Sequence, residues 1–176
     1  MKRALKSVAV IWTICVALCL AVAFAGCADK YHAKLFDRAE QWIDEGFLKE
    51  NRVQAFYPND DFKEGEENSE RFIYDGNSPK NRTFVIKGSK TFGEIFTKYT
   101  GDVDFSSKLV VLHVFASCYP SREYYLKGVA LSKENLTVKY KVEARRFIAD
   151  AATPAQRCLM LTMDRAEINS AEFIEM

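Results

Sequence analysis

Apolar positions in the second half of the chain recur in patterns that predict a β-sheet. Residues 109–115, LVVLHVF, form a continuous run of β-branched and aromatic residues. Such a run is typical of a strand that is buried on both faces and therefore lies centrally in its sheet. Further along, Leu136, Val138, Tyr140 and Val142 alternate with polar residues, which indicates a half-buried antiparallel strand. Shorter strands are predicted at 71–74, 82–87, 158–163 and 171–174, together with one that ends at Leu131.

Two other stretches have helical periodicity. The first covers residues 29–45, with Asp29 as the N-cap and Gly46 as the terminating residue. Its apolar face consists of Leu35, Phe36, Ala39, Trp42 and Ile43. The second runs from Thr91 to Tyr99, where Thr91 and Glu94 match a capping box. The order of elements predicts an α+β fold, which is mainly an antiparallel sheet or partial barrel with an N-terminal helix and one further helix packed on it.

The first 28 residues have the pattern of an export segment. Residues 1–6 are basic, and residues 7–28 carry no charge and end in small side chains, as signal peptides do. Near the end of this segment, the four residues Phe24-Ala25-Gly26-Cys27 resemble the lipobox of bacterial lipoproteins. That resemblance implies that Cys27 is acylated, with a fatty acid such as palmitate, and anchors the protein to the membrane. It divides the chain into a signal peptide, 1–26, and one extracytoplasmic domain, 27–176.

Two other fates of the segment remain open. Cleavage after Ala23-Phe24-Ala25 would release a soluble protein, whereas an uncleaved run is about long enough to span a bilayer. All three fates place the domain on the extracytoplasmic side of the cell membrane, because the basic residues stay inside.

Charge and motifs narrow the classes of function. Acids slightly outnumber bases once Lys2, Arg3 and Lys6 leave with the export segment, so a nucleic-acid partner is not predicted. The chain has no phosphate loop, no G-x-G-x-x-G motif and no G-x-S-x-G motif, and no cofactor is predicted. Residues 59–70 are acidic, but their spacing differs from a calcium loop and indicates a solvated loop. No close cysteine or histidine pair has the spacing of a zinc site either, so no metal site is predicted.

Two cysteines remain besides Cys27 after the export segment. Cys118 and Cys158 form an even pair in a compartment that can be oxidising, and they could form a disulfide. The alternative is two separately buried thiols, because free cysteine is among the most buried residue types. The sequence spacing alone leaves both open.

Residues from about 86 to 174 resemble the C-terminal domain of the PrcB family, known from a treponemal protease complex. The matching run is the capped second helix, then residues 104–108 leading into LVVLHVF, then the segment YLKGVALSKENLTVKYKV, and finally Thr153-Pro154 before CLMLTM. The resemblance implies a β-rich fold and a role in binding or stabilising another protein. It carries no catalytic motif, and no functional residue is transferred from it.

The candidate binding surface is the segment after the central strand. Tyr119, Arg122, Tyr124 and Tyr125 are of the types that dominate interface hot spots. Alternate tyrosines could instead pack inward on the following strand. His113 shares a face with apolar residues, which favours a hydrogen-bonded core or edge histidine over a catalytic one.

The function predicted from these observations is a non-enzymatic, membrane-anchored lipoprotein of the cell envelope with a protein partner. Two alternatives are kept. One is capture of a small ligand, and the other is an extracytoplasmic hydrolase that uses a pair of acids or Cys118.

Overall fold

The computed structural model describes residues 30–65, 69–118, 122–143 and 153–176. Within these residues the chain is α+β. The helices are a 3-10 helix, Ala39–Trp42, and the α-helices α1, Glu45–Glu50, and α2, Ser89–Ile95. The strands are β1, Lys34–Phe36; β2, Phe56–Pro58; β3, Phe72–Tyr74; β4, Asn81–Ile86; β5, Lys108–Ser117; β6, Glu123–Ser132; β7, Asn135–Glu143; β8, Ala155–Asp164; and β9, Ser170–Glu175.

A four-stranded antiparallel sheet forms the centre of the domain. Its strand order is β1-β8-β5-β4, and β5 pairs with β8 over ten residues, from Lys108 opposite Asp164 to Ser117 opposite Ala155. The prediction that LVVLHVF is a central strand is confirmed, since β5 has a neighbour on both sides and residues 109–114 are buried.

The side chains of β5 alternate between two cores. Val110, Leu112 and Val114 face the first core, which the 3-10 helix and α2 cover with Ala39, Ile43, Ile95 and Phe96. Leu109 and Val111 face the second core, which lies against a three-stranded sheet. Burial of both faces explains why β5 reads as a continuous apolar run rather than an alternating one.

The three-stranded sheet has the order β6-β7-β9. Strands β6 and β7 form an antiparallel hairpin with a turn in which Lys133 has a φ of 55°. The predicted half-buried character of β7 is confirmed, because Leu136, Val138 and Tyr140 are buried while the residues between them are more exposed. Strand β9 pairs with β7 in the parallel direction, which the sequence did not indicate.

The small third sheet contains only β2 and β3. In the described part of the chain the strands thus form three sheets, and none of these closes into a barrel. Strand β3 was expected, but β2 was not, because its three residues FYP carry too short a pattern.

The single helix predicted over residues 29–45 is wrong for the part that the structure describes. Residues Lys34–Phe36 form β1, which pairs with β8, and α1 begins only at Glu45. Arg38 has a φ of 59°, a left-handed conformation that interrupts any helix there. The N-cap of α1 is Asp44, whose Oδ1 accepts a hydrogen bond from the Phe47 N–H at 3.0 Å. Gly46, expected to end the predicted helix, instead lies in the first turn of α1.

The expected N-cap Asp29 lies outside the described residues, as does the whole export segment. The second predicted helix is confirmed in place, but α2 begins at Ser89 and ends at Ile95. Its N-cap is Gly88, so the capping box predicted at Thr91 and Glu94 is wrong. No helix among residues that the structure describes is long and apolar enough to cross a membrane.

Candidate functional site

A cleft between the end of β5 and the start of β6 brings together three of the predicted site residues. Cys118, Arg122 and Tyr124 line it, and its volume is about 260 Å³. The other lining residues are Phe115, Ala116, Ser117, Tyr140, Val142 and Glu175. We call this site the β5–β6 cleft.

Tyr124 belongs to the interior wall of the β5–β6 cleft. Its side chain is buried, and its hydroxyl donates a hydrogen bond to Ser117 Oγ at 2.9 Å. Burial raises the pKa of Tyr124. Burial, reinforced by Glu175 and Tyr124, raises the pKa of Tyr140 to about 12. Both phenols are therefore neutral at physiological pH and act as packing and hydrogen-bonding groups.

An aromatic layer continues from the cleft into the space between the two larger sheets. The ring of Phe115 meets that of Tyr124 edge-on with centroids 5.4 Å apart, and Tyr124 lies 5.8 Å from Tyr140. His113 stacks on Phe173 at 4.3 Å and on Phe115 at 5.2 Å. These geometries fit favourable offset or edge contacts, so the layer joins β5 to β6, β7 and β9.

His113 is the hydrogen-bonded core histidine that the sequence predicted. It is 5% exposed, and its Nδ1 shares a hydrogen bond of 2.9 Å with Thr83 Oγ1 on β4. Burial lowers the pKa of His113 to about 4, so the ring is neutral at physiological pH. Five residues along β5 separate it from Cys118, which corresponds to about 16 Å at the rise of a strand. The two therefore cannot form a nucleophile–base pair.

The three described residues of the predicted binding surface, Arg122, Tyr124 and Tyr125, do not all lie on one face. Tyr124 points inward, whereas Tyr125 is 43% exposed on the opposite face and donates a hydrogen bond to Glu123. Successive residues of a strand point to opposite faces, which makes the inward alternative correct for Tyr124. Tyr119 lies outside the described residues. Among the described residues of the predicted surface, Arg122 and Tyr124 line the cleft together.

The two thiols are free, so the structure does not contain the proposed disulfide between Cys118 and Cys158. Cys158 is paired with Val114 in the sheet, and Cys118 follows the last paired residue of β5. A separation of four residues along the strand is about 13 Å. The Cα atoms of a disulfide lie within about 7 Å of each other.

Cys158 lies in the core beneath the helices rather than in the β5–β6 cleft. Burial, and secondarily the neighbouring Glu40, raises the pKa of its thiol far above the usual range. The thiolate is the reactive form of cysteine, so Cys158 is a packing residue.

A partly buried ion cluster lies beside β8, and no sequence pattern predicted it. Arg157 contacts Asp37 at 3.3 Å and Glu40 at 3.2 Å, and Glu40 Oε2 accepts the Cys158 N–H at 3.0 Å. Burial raises the pKa of Glu40 more than Arg157 lowers it. These groups fix the 3-10 helix to β8. They are far apart in the chain, so no local motif could have predicted them.

A second cleft, of about 390 Å³, borders this ion cluster between α1 and β2. The Tyr57 hydroxyl in this cleft donates to the Val53 carbonyl at 2.9 Å and contacts Gln156 Oε1 at 2.6 Å. Gln156 in turn donates to the Leu48 carbonyl. Because these groups bond one another, they hold β2 and α1 against β8.

The most unusual surface feature is strand β3. Phe72, Ile73 and Tyr74 are 46%, 51% and 49% exposed, although they are consecutive and large. A strand that covers a core buries every second side chain, but here neither face is buried. The sequence predicted the strand but not its exposure.

Neither a metal-ligand cluster nor a similarity to known proteins indicates a further site. Among the described residues, no group of three or more histidine, cysteine or carboxylate side chains is arranged to hold a metal ion. The chain matches no protein-family model, no curated protein and no solved structure. The resemblances to lipoproteins and to the PrcB family therefore stay predictions.

The neighbouring tyrosines of β6 give a direct test of the cleft. Tyr124→Ala should lower the free energy of unfolding by about 3–5 kcal/mol, because it removes a buried aromatic side chain. Tyr125→Ala, the matched control one residue away, should change it by no more than about 0.5 kcal/mol. Urea denaturation of the two variants measures both values. Equal losses would show that the face assignment of β6 is wrong.

His113 should make the domain sensitive to acid. The unfolded chain takes up a proton near pH 6.5, whereas the folded ring resists protonation until about pH 4. The contribution to stability is therefore complete above pH 6.5 and is lost as the pH falls towards 4. The loss at pH 5 is about 2 kcal/mol. In His113→Phe, which keeps a stacked ring, this part of the pH dependence should disappear.

The measurement is urea denaturation across the range from neutral pH to pH 5. His32→Asn serves as the control, because His32 is exposed and has a φ of 40°, which asparagine tolerates. Parallel pH profiles for the wild type and His113→Phe would contradict the assignment of a neutral buried imidazole.

Proposed function

We propose that the protein is a lipid-anchored component of the cell envelope whose extracytoplasmic domain binds another protein and has no catalytic role. The observation that carries this proposal is the exposed apolar strand β3. Contiguous apolar surface on a soluble domain commonly marks a site of interaction, because leaving it in water is unfavourable. The three residues on β3 meet that description, and isolated exposed side chains such as Tyr125 do not.

The chemistry of the interior is consistent with this proposal. Burial shifts the pKa values of four groups in the cleft and the neighbouring cores toward the neutral form: His113, Tyr124, Tyr140 and Cys158. A hydrolase needs a nucleophile or a base whose pKa lies near the working pH. The contacts of these groups instead serve packing, and the exposed surface remains as the place where function resides.

The anchor is proposed from the lipobox resemblance at Cys27. It would hold the domain at the extracytoplasmic face of the cell membrane, where a protein partner in the envelope is accessible.

If Cys27 carries the lipid, its substitution should abolish labelling with a fatty acid. Cells that express the full chain and grow with alkyne-labelled palmitate should incorporate the label into the wild type and not into Cys27→Ala. Cys118→Ala is the control and should keep the label, because Cys118 belongs to the folded domain. Label in Cys27→Ala would overturn the anchor. An unlabelled wild type that still sediments with membranes would indicate an uncleaved spanning segment.

Partner binding predicts a loss that is confined to β3. Ile73→Ser should reduce a crosslinked protein partner that co-purifies with the full-length chain from its native membrane, while leaving the melting temperature nearly unchanged. Ile174→Ser, on β9, replaces another exposed isoleucine and should retain the partner. Quantitative mass spectrometry of the two variants and the wild type measures the difference. Equal recovery from all three would remove β3 as the binding surface.

A further inference from the structure

Strand β3 has one edge that no described strand occupies. Residue pairs along the β2–β3 ladder are Phe56 with Tyr74, Tyr57 with Ile73, and Pro58 with Phe72. Just beyond the ladder, the Asp75 N–H donates to the Ala55 carbonyl at 2.9 Å, and the Asn59 N–H donates to the Arg71 carbonyl at 3.0 Å. Hydrogen-bonded and non-bonded pairs alternate in an antiparallel ladder. Tyr57 and Ile73 are therefore a bonded pair.

It follows that Phe72 and Tyr74 direct their backbone N–H and C=O groups away from β2. An independent contact supports this assignment of bonded and non-bonded pairs. The N–H of Phe56, which is opposite Tyr74, points away from β3 and donates to the Pro154 carbonyl at 2.8 Å. No hydrogen bond from elsewhere in the described chain reaches the N–H groups of Phe72 and Tyr74. The outer edge of β3 thus presents two donors and two acceptors in the spacing of a sheet edge.

Side chains extend this edge on both faces. Phe72 and Tyr74 project to one face, and Ile73 projects to the other. Tyr74 is supported from behind by the ring of Phe56, whose centroid is 5.0 Å away. An added strand would therefore gain apolar contacts on each face besides its main-chain hydrogen bonds.

Carboxylates surround both ends of β3. Asp60, Asp61, Glu64 and Glu70 are exposed in the loop before the strand. Asp75 follows the strand, and hydrogen bonds from Ser78, chiefly from its side chain, hold the pKa of that carboxyl below its usual range. The bases near these carboxylates are Lys63, Arg71 and Arg52. Arg71 lies over the Phe62 ring at 5.9 Å, and Arg52 lies over the Tyr57 ring at 4.3 Å and also attracts Asp75.

We propose that the outer edge of β3 accepts an extended segment of a partner protein, whose alternating apolar residues are flanked by lysine or arginine. This inference rests on the proposed protein-binding function and specifies its mode. The main chain of the added segment would supply hydrogen bonds to Phe72 and Tyr74, and its basic ends would meet the carboxylates at both ends of the strand.

The charges also argue against two other occupants. A second copy paired in parallel would place one acidic loop against another, and an antiparallel copy would place the loop near Asp75. An anionic membrane surface would be repelled by the same carboxylates.

The test uses the full chain and a capped octapeptide with valine at alternate central positions and two lysines at each end. Fluorescence anisotropy should detect binding at low ionic strength that weakens at high ionic strength. A peptide in which glutamate replaces lysine should bind at least about tenfold more weakly. The same measurement with anionic vesicles, and sedimentation of the chain alone, test the membrane and the second copy.

The decisive pair of variants is Phe72→Pro and Phe72→Ala. Both remove the aromatic ring, but only proline removes the outward N–H, and proline is tolerated at a sheet edge where that group faces solvent. Phe72→Pro should bind the lysine peptide about tenfold more weakly than Phe72→Ala. Urea denaturation of both variants shows that each is folded.

Equal binding by the two variants would overturn strand addition, as would no binding of the lysine peptide by the wild type. Tighter binding to vesicles, or a dimer that Phe72→Pro dissolves, would overturn the basic partner segment as the occupant of this edge. If strand addition is overturned but the native partner still co-purifies with the wild type and not with Ile73→Ser, the proposed function remains supported. Loss of both the peptide and the native partner removes the function as well.

Discussion

The ten-residue pairing between β5 and β8 is the constraint on which the rest of the structure depends. Both strands are apolar on both faces, and residues 158–163 of β8 are buried like residues 109–114 of β5. A strand pair of this kind cannot lie at the surface, because each face has to be covered. The 3-10 helix, α2 and the segment that contains Val53 and Ala55 cover one face, and the β6-β7-β9 sheet covers the other.

That double burial also determines the electrostatics of the interior. Residues of β5 that face the three-stranded sheet include His113, Phe115 and Ser117, so the one histidine of the core enters an aromatic layer without a charged partner. Desolvation disfavours every charged form there, which lowers the pKa of an imidazole and raises that of a phenol or a thiol. The ion cluster of Arg157, Asp37 and Glu40 is only partly buried, and each of its charges has a partner of opposite sign.

Local patterns predicted the strands better than the contacts between them. Strands β3 to β9 and helix α2 were recoverable because alternation, continuous apolar runs and turn residues are properties of short segments. The helix predicted over 29–45 was wrong for the residues that the structure describes. A strand, a left-handed residue at Arg38 and a 3-10 helix can place apolar residues at the same intervals as a helix. The parallel pairing of β9 depends on residues 35 positions apart, from Asn135 to Ser170, and no local pattern contains it.

Local sequence patterns likewise predicted only part of the candidate site. Tyr124 and Tyr125 are adjacent residues of the same type, so residue type does not predict which of them is buried. That depends on which face of β6 lies against the core. The separation of the two thiols likewise follows from the β5–β8 register rather than from the number of residues between them. The ion pair between Glu40 and Arg157 could not be predicted either, because it also depends on how distant segments of the chain pack together.

An exposed edge strand carries a risk that the chain reduces by its charges. An apolar edge with free main-chain groups pairs readily with other edges and promotes aggregation. In β3 the strand is only three residues long, and carboxylates stand at both ends, so two copies repel each other. The same charges would attract the basic segment that we propose as the partner, so one feature would both suppress self-association and select that partner.

The attachment of β2 explains how such an edge can be exposed and still be ordered. Strand β2 is held to the body of the domain by the Phe56 N–H, which donates to Pro154, and by the Tyr57 hydroxyl, which contacts Gln156. Strand β3 is then positioned by β2 rather than by a core of its own. A segment added to β3 would meet a backbone that is already extended, so little further ordering of the domain would oppose binding.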